Sequence, residues 1–523
     1  MTKNTAFTVR VSAIVALGGF LMGFDASVIS GVVGFIETEF SLSKIELGWS
    51  VASLTLTATL AMLAAGPLAD RIGRRPVLQI AAALFALSAV LSAIAPDFIT
   101  LVFARMLGGF GVGAALIIAP VYIAEIAPPA TRGRMVSINQ LNIVLGISVA
   151  FFSNYLILSL GQSDAAWAQA LNLGDWAWRW MLGVEAIPAF VYLAALLFVP
   201  ESPRWLAMQN REAEALSVLE QANDPDEAKR ALTTVHESIA AASSERGAKL
   251  SQLFGPAMRL VLTIGIGIAI LQQITGINSV FFYAPMIFEQ SGIGTDAAFM
   301  QAVLVGLVNP VFTVIAMALI DRIGRRPLLG IGLAGITLCM LTLAYGFGSA
   351  RYTLDSTALE ALPASVDRIA LASLLDTTFE SDVEFRNAVT AVIGTESYQQ
   401  HESQLVSAAI QMNPALILFG ILGFVASFAM SLGPVMWVLF SELFPNTLRG
   451  LAISFVGLIN SGVSFGVQLV FPWQLQNLGN STTFLIYGVF AAIGFVFVMR
   501  LLPETKGRSL EELESVLGTA ARN

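Results

Sequence analysis

The sequence predicts an all-α membrane protein: twelve transmembrane helices in two pseudo-symmetric six-helix bundles, with a small helical domain joining them on the cytoplasmic side. Three observations predict it. Of 523 residues, 56% are hydrophobic and only 12% charged, against about 25% charged in a soluble domain. Twelve apolar stretches follow one another, most above the length needed to cross a bilayer. A seven-residue string recurs unchanged 251 positions later, the mark of an internal duplication.

Composition also narrows function. One cysteine, Cys339, and two histidines, His236 and His401, leave no disulfide framework and no multi-ligand Cys/His metal site, so no cofactor is expected. A net charge of −8 offers no basic footprint for nucleic acid, and the expected surroundings are the lipid bilayer. The apolar stretches, here spans 1 to 12, run roughly over 11–33, 47–68, 76–95, 98–122, 136–160, 177–200, 256–283, 298–320, 326–346, 413–441, 450–474 and 481–502. Span 1 contains Asp25 and no small-residue cleavage site, so it reads as a retained helix and not a signal peptide. Of the 28 Lys and Arg, 22 fall in one set of alternate loops and the termini. That bias predicts a multi-pass protein of the cell (plasma or inner) membrane with both termini cytoplasmic.

The repeats set the domains. Asp70-Arg71-Ile72-Gly73-Arg74-Arg75-Pro76 returns as Asp321-Arg322-Ile323-Gly324-Arg325-Arg326-Pro327. Glu125 with Arg132-Gly133 returns as Glu442 with Arg449-Gly450, and Pro200-Glu201 as Pro503-Glu504. Their offsets, 251, 317 and 303, locate an insertion at about 347–412 in the second half and a shorter one near 161–175 in the first. The expected domains are therefore an N-terminal six-helix bundle (1–200), a helical linker (201–252), a C-terminal bundle with an extracytoplasmic insertion (253–502) and a tail (503–523). The linker's periodic Ala, Glu, Lys and Leu predict amphipathic helices, and the tail one more at 509–517. The insertion holds nine acids against three arginines, most of the net charge. A solvated surface insertion is favoured over a lid or a partner surface.

Asp25 lies well inside span 1 and Arg105 inside span 4. A lone charge near a helix centre costs about 2.5–3.5 kcal/mol, and pairing offsets it. A carboxylate whose partner can leave can also hold a proton, since its affinity rises when it is unpaired and dry. A proton site coupled to conformation and a permanent ion pair both fit. The second constellation is amide-rich: Gln140 in span 5, Gln272, Gln273 and Asn278 in span 7, Asn309 in span 8, Asn460 in span 11. Amides offer paired donors and acceptors, which a neutral polyhydroxylated ligand needs, and the aromatics Phe24, Phe281, Phe282, Tyr283 and Trp437 suit its C–H face. Interhelical hydrogen bonding explains any one amide; six on helices of both halves favour a polar cavity.

Gly276 and Pro285 in span 7, and Gly433-Pro434 in span 10, interrupt good helices, as at a midplane site with gates. A static kink is the alternative. Around the loop repeats, Asp70, Arg71, Arg75, Glu125, Arg132, Glu201 and Arg204 are matched by Asp321, Arg322, Arg326, Glu442, Arg449 and Glu504. These charges fit a latch of ion pairs between the halves that biases one of two states. For the arginines, the positive-inside rule alone also suffices.

These strings resemble the sugar porter family of the major facilitator superfamily. The resemblance rests on Gly66-Pro67-Leu68-Ala69-Asp70-Arg71-Ile72-Gly73-Arg74-Arg75, Pro200-Glu201-Ser202-Pro203-Arg204-Trp205-Leu206, Gln272-Gln273-Ile274-Thr275-Gly276-Ile277-Asn278 and Pro503-Glu504-Thr505-Lys506-Gly507-Arg508. It covers nearly the whole chain outside 347–412 and 161–175. It implies the major facilitator fold and a sugar site lined by Gln140, Gln272, Gln273, Asn278, Asn309, Trp437 and Asn460. It also places Asp25 where proton-coupled members carry the titrating acid, with Arg105 as partner; animal facilitators have asparagine there. Ile147 stands where a bacterial xylose symporter has a second glutamine, and plant hexose symporters share the isoleucine, which leans toward a hexose. Ser461 and the Phe282-Tyr283 pair replace tryptophan and Tyr-Tyr of other members.

The expected function is import of a monosaccharide, an aldohexose such as glucose, with a proton, by a single chain. The alternatives are a facilitator of the same fold and a membrane sugar sensor. No nucleophile–base set, metal spacing or nucleotide loop points to an enzyme.

Overall fold

The computed structural model describes residues 3–128, 131–244, 250–445 and 448–506; the expected tail helix at 509–517 lies outside the described residues. Eleven helices among them are long and apolar enough to cross a membrane. The last, Arg449–Leu501, has 53 residues and is broken at Gly479 (φ 79°), so it supplies spans 11 and 12, and twelve crossings result.

Helices start where the sequence offers a cap or a turn. Asp97 accepts a hydrogen bond from the Thr100 backbone N–H at 2.9 Å and opens Phe98–Ile126, span 4. Gly73 (φ 104°, ψ 159°) and Gly324 (φ 100°, ψ 166°) occupy a region of backbone space open essentially to glycine alone. They hold the same turn before spans 3 and 9. A Cβ on Gly73 would also come within 2.4 Å of the Glu201 carboxylate, and one on Gly324 within 2.7 Å of that of Glu504. The repeated glycine is thus demanded twice, by torsion and by the acid packed on it.

Both spans expected to be interrupted are, though not always at the expected residue. Span 7 divides at Gly276 (φ 90°) into Arg259–Ile274 and Ile277–Glu289, and Tyr283 (φ −125°, ψ 17°) bends ahead of Pro285. In span 10 the chain leaves helical geometry at Ser431 (φ −128°, ψ −92°), between Pro414–Met430 and Leu432–Leu443. A proline ring opposes the carbonyl four residues earlier, here that of Met430. The distortion therefore falls upstream of Gly433-Pro434.

The chain forms two compact units. One comprises Met1–Val28, Ser53–Ala150 and Arg179–Gln252. In it span 4 packs on spans 1 and 3, and span 3 on span 6. Its core of Leu78, Phe85, Tyr122 and Tyr192 continues into the linker helices through Leu206 and Ala215. The linker is helical at Pro203–Met208, Glu212–Ala222 and Pro225–Ser244. The other unit comprises Ile29–Ala52, Phe151–Trp178 and Leu253–Asn523. There span 9 packs on spans 10 and 12, and span 7 on span 12.

The insertion is a folded subdomain, which its polar sequence does not announce. Strands β1 (Arg351–Thr353), β2 (Thr378–Phe379) and β3 (Ile410–Gln411) form an antiparallel sheet in the order β2-β1-β3. Helices Asp382–Ile393 and Thr395–Ala409 cover it, and Tyr352, Phe385, Tyr398 and Leu405 make its own core.

Candidate functional site

The in-membrane charges meet. Arg105 Nη1 donates to Asp25 Oδ1 at 2.5 Å and to the Asp25 carbonyl at 3.1 Å, with both side chains at most 2% exposed. The second carboxylate oxygen, Oδ2, and the guanidinium Nε have no hydrogen-bond partner among the described residues. Glu185, 3% exposed, lies within electrostatic reach of both charges, and its Oε1 is likewise without a partner. A second buried carboxylate thus lies near the Asp25–Arg105 pair, and one oxygen of each acid is without a hydrogen-bond partner among the described residues. Glu185 lies inside span 6, a short way after Arg179 of helix Ala177–Gly183, and an acid so close to an arginine reads from sequence as its local partner.

The amides of spans 7 and 11 also converge. Gln273 Nε2 donates to Gln272 Oε1 and Asn460 Oδ1, both at 3.2 Å. Asn460 Nδ2 donates to Gln272 Oε1 at 2.8 Å and to the Ala269 carbonyl at 2.9 Å. Asn278 Nδ2 donates to Gln273 Oε1 at 2.8 Å and to Ser464 Oγ at 2.7 Å. Gln272 Nε2 reaches the Leu432 carbonyl at 3.1 Å, beside the break in span 10. Ser464 and Gln468 complete the network, the latter donating to Ser464 Oγ at 2.8 Å. Neither was singled out from sequence. They follow Asn460 at i+4 and i+8, the stripe that one helix face presents, and that periodicity was the available signal. Sugar hydroxyls can replace such bonds one for one, leaving no amide unsatisfied.

Other expected residues are placed as follows. Tyr283 is buried, donates to the Gln468 carbonyl at 3.2 Å and packs on Phe471. Phe282 and Asn309 are buried, Gly433 and Pro434 half-buried, and Trp437 is 47% exposed with its ring against Phe440. In the first unit Phe24 is buried, Ile147 half-buried and Gln140 exposed.

The loop charges form two matching clusters, each closed within its own half. Arg74 Nε and Nη2 grip Glu125 at 3.1 Å each, and Nη1 meets Asp70 at 3.0 Å. Glu201 accepts from the Arg74 and Arg75 backbone N–H groups, and Ser202 donates to Glu125. In the second half Arg325 meets Glu442 at 2.8 Å and Asp321 at 3.1 Å. Glu504 accepts from the Arg325 and Arg326 N–H groups, and Thr505 donates to Glu442. The hubs are Arg74 and Arg325 of the repeated string. Arg71, Arg132 and Arg322 are exposed, Arg204 and Arg449 half-buried. Burial pushes the Glu201 carboxyl above its usual range, although the backbone N–H groups of Ser202, Arg75 and Arg74 pull against it.

The family described as sugar (and other) transporter matches residues 11–363 and 388–517. The chain belongs to the sugar porter family of the major facilitator superfamily. It is 34% identical to the arabinose-proton symporter of Bacillus subtilis, over 98% of this chain and 96% of that protein. It is 33% identical to the glucose transport protein of Synechocystis, over 98% of each. An inward-open structure of the Escherichia coli xylose transporter superposes with a TM-score of 0.73 at 32% identity, covering 97% of this chain and 99% of that one. This sugar porter is a transporter and not an enzyme, with the major facilitator fold that the family resemblance implies. The unmatched segment 364–387 falls inside the insertion.

Proposed function

We propose that the protein imports a monosaccharide together with a proton by alternating access. The observation that carries the coupling is the buried Asp25–Arg105 pair, with one carboxylate oxygen held, the other unpartnered and Glu185 in reach. A proton arriving on Asp25 neutralises it and weakens its hold on Arg105, which then turns to Glu185. That change links proton binding to the packing of spans 1, 4 and 6. Sugar binds the amides of spans 7 and 11, at the hinge formed by Gly276 and the bend at Tyr283. Sugar–proton symporters among the relatives support the same reading.

The lysine and arginine bias supports cytoplasmic termini, with the insertion outside. The clusters around Arg74 and Arg325 then face the cytoplasm and stiffen the ends that part when the protein opens inward. The same reading takes a single chain as the functional unit.

Among sugars, the apolar wall at Ile147 favours an aldohexose such as glucose. An aldopentose is the second reading, favoured by the arabinose and xylose symporters among the relatives. The test is uptake of labelled glucose, xylose and arabinose into proteoliposomes with and without an inward proton gradient. Accumulation above the external concentration only with the gradient is expected. Equal, merely equilibrating uptake in both conditions would make the protein a facilitator, and no uptake of any of the three would overturn the substrate class.

A further inference from the structure

The densest buried charge outside these sites lies at the helix ends that carry the insertion. Lys44, 6% exposed at the start of span 2, places Nζ 2.5 Å from Glu37 and 3.6 Å from Glu402. Glu402 belongs to the insertion, is 14% exposed, accepts from Gln290 Nε2 at 3.1 Å and lies 4.0 Å from Arg386. Arg386, also of the insertion, donates to the Gln476 carbonyl just past span 11 at 2.6 Å. Asp382 holds Asn480 beyond the Gly479 break, at 2.7 Å from its side chain. A cavity of about 250 Å³ lies beside the group, lined by Glu37, Pro285, Glu289, Gln290, Gln400 and Glu402.

A solvated spacer keeps its charges in water. This insertion instead buries one cation and one carboxylate against groups from spans 1, 2 and 7. Within the tetrad of Glu37, Glu402, Lys44 and Arg386 two acids face two cations, so separating the insertion from Lys44 strips buried charges of their partners unless water enters. Glu37 and Lys44 flank the turn between spans 1 and 2, and Gln290 ends the half of span 7 that lies beyond Gly276. The tetrad therefore ties a break-prone helix to the first helical hairpin through residues that only the insertion supplies.

We propose that the insertion is an outer latch of the transporter, Glu402 and Arg386 fastening it to Lys44 and Glu37, and that this fastening parts each time the protein opens outward. The proposal rests on the transport reading for its role, and its geometry can be tested apart from transport. In full-length protein carrying Cys339→Ser, spin labels at Ile45→Cys and Glu396→Cys report the distance between span 2 and the insertion in nanodiscs. The latched protein is expected to give one short distance. Glu402→Gln is expected to raise the fraction of a longer distance by about threefold or more, and the exchange Lys44→Glu with Glu402→Lys to restore the short one. If Glu402→Gln does not fold, Lys44→Met, which leaves the insertion's own residues intact, is read instead. Distances unchanged by either single variant, or lengthened ones that the charge exchange does not reverse, overturn the latch. A failed transport reading shows separately, as wild-type protein that keeps the short distance and takes up no sugar.

Discussion

Asp25 binds Arg105 through one oxygen and leaves the other without a partner, and that asymmetry separates the roles of three side chains. Asp25→Asn keeps the shape but cannot take up a proton. It is expected to abolish gradient-driven accumulation while leaving exchange of labelled for unlabelled sugar, read in the same proteoliposomes; retained uphill accumulation would exclude Asp25 as the coupling acid. Arg105→Ala removes the cation that acts on both acids among the described residues. Breaking a buried pair in this way costs about 3–5 kcal/mol, so its thermal unfolding in detergent should fall well below that of Asp25→Asn. Glu185→Gln is expected to slow uptake yet keep the protein as stable as wild type, because Glu185 makes no hydrogen bond through Oε1 to lose.

At the scale of helices and turns, the duplicated string yields its sharpest consequence at glycine. Gly73 and Gly324 share a backbone region that costs other residues about 1–3 kcal/mol, and each would press a Cβ onto its acid. Gly73→Ala and Gly324→Ala are therefore expected to lower the unfolding temperature by similar amounts, measured by scanning fluorimetry. A harmless substitution at one site alone would break the equivalence of the halves. The spans, their duplication and the two broken helices were legible in sequence because each follows from hydrophobic run length, string identity or a proline. The partners of the loop acids were less so. Three arginines sit in each repeated string, and spacing cannot say which one folds inward; burial selects Arg74 and Arg325. Ser464 and Gln468 were hidden for a similar reason, since a serine or glutamine in an apolar run acquires meaning only when the facing helix carries amides.

Across the whole molecule the insertion is where sequence said least, because small domains with short strands and mixed polarity carry no strong periodicity. Its docking has a pH dependence that can be worked out in sign. Burial alone would raise Glu402, but Lys44 and Arg386 outweigh it, with help from Gln290, and hold the carboxyl below its usual 4.5. A carboxyl lowered in the folded state contributes stability above its unfolded value, and that contribution is lost as pH falls through the folded one. Glu37 is opposite. Burial and the charge of Glu402 push it above 4.5 against the pull of Lys44, so its contribution is complete below its unfolded value and is lost as pH rises through the folded one. The other groups facing the tetrad are Glu289, Asp382 and Tyr398, and burial keeps the Tyr398 hydroxyl protonated well beyond its usual range. The docked state should therefore be most stable at mildly acidic pH and weaken on both sides. Hydrogen exchange in helix Thr395–Ala409, followed against pH, measures this. Glu402→Gln should remove the loss of protection on the acid side, and Glu37→Gln should reduce the loss toward higher pH. Wild-type and variant profiles that run parallel would mean that these two acids do not govern how the insertion is held.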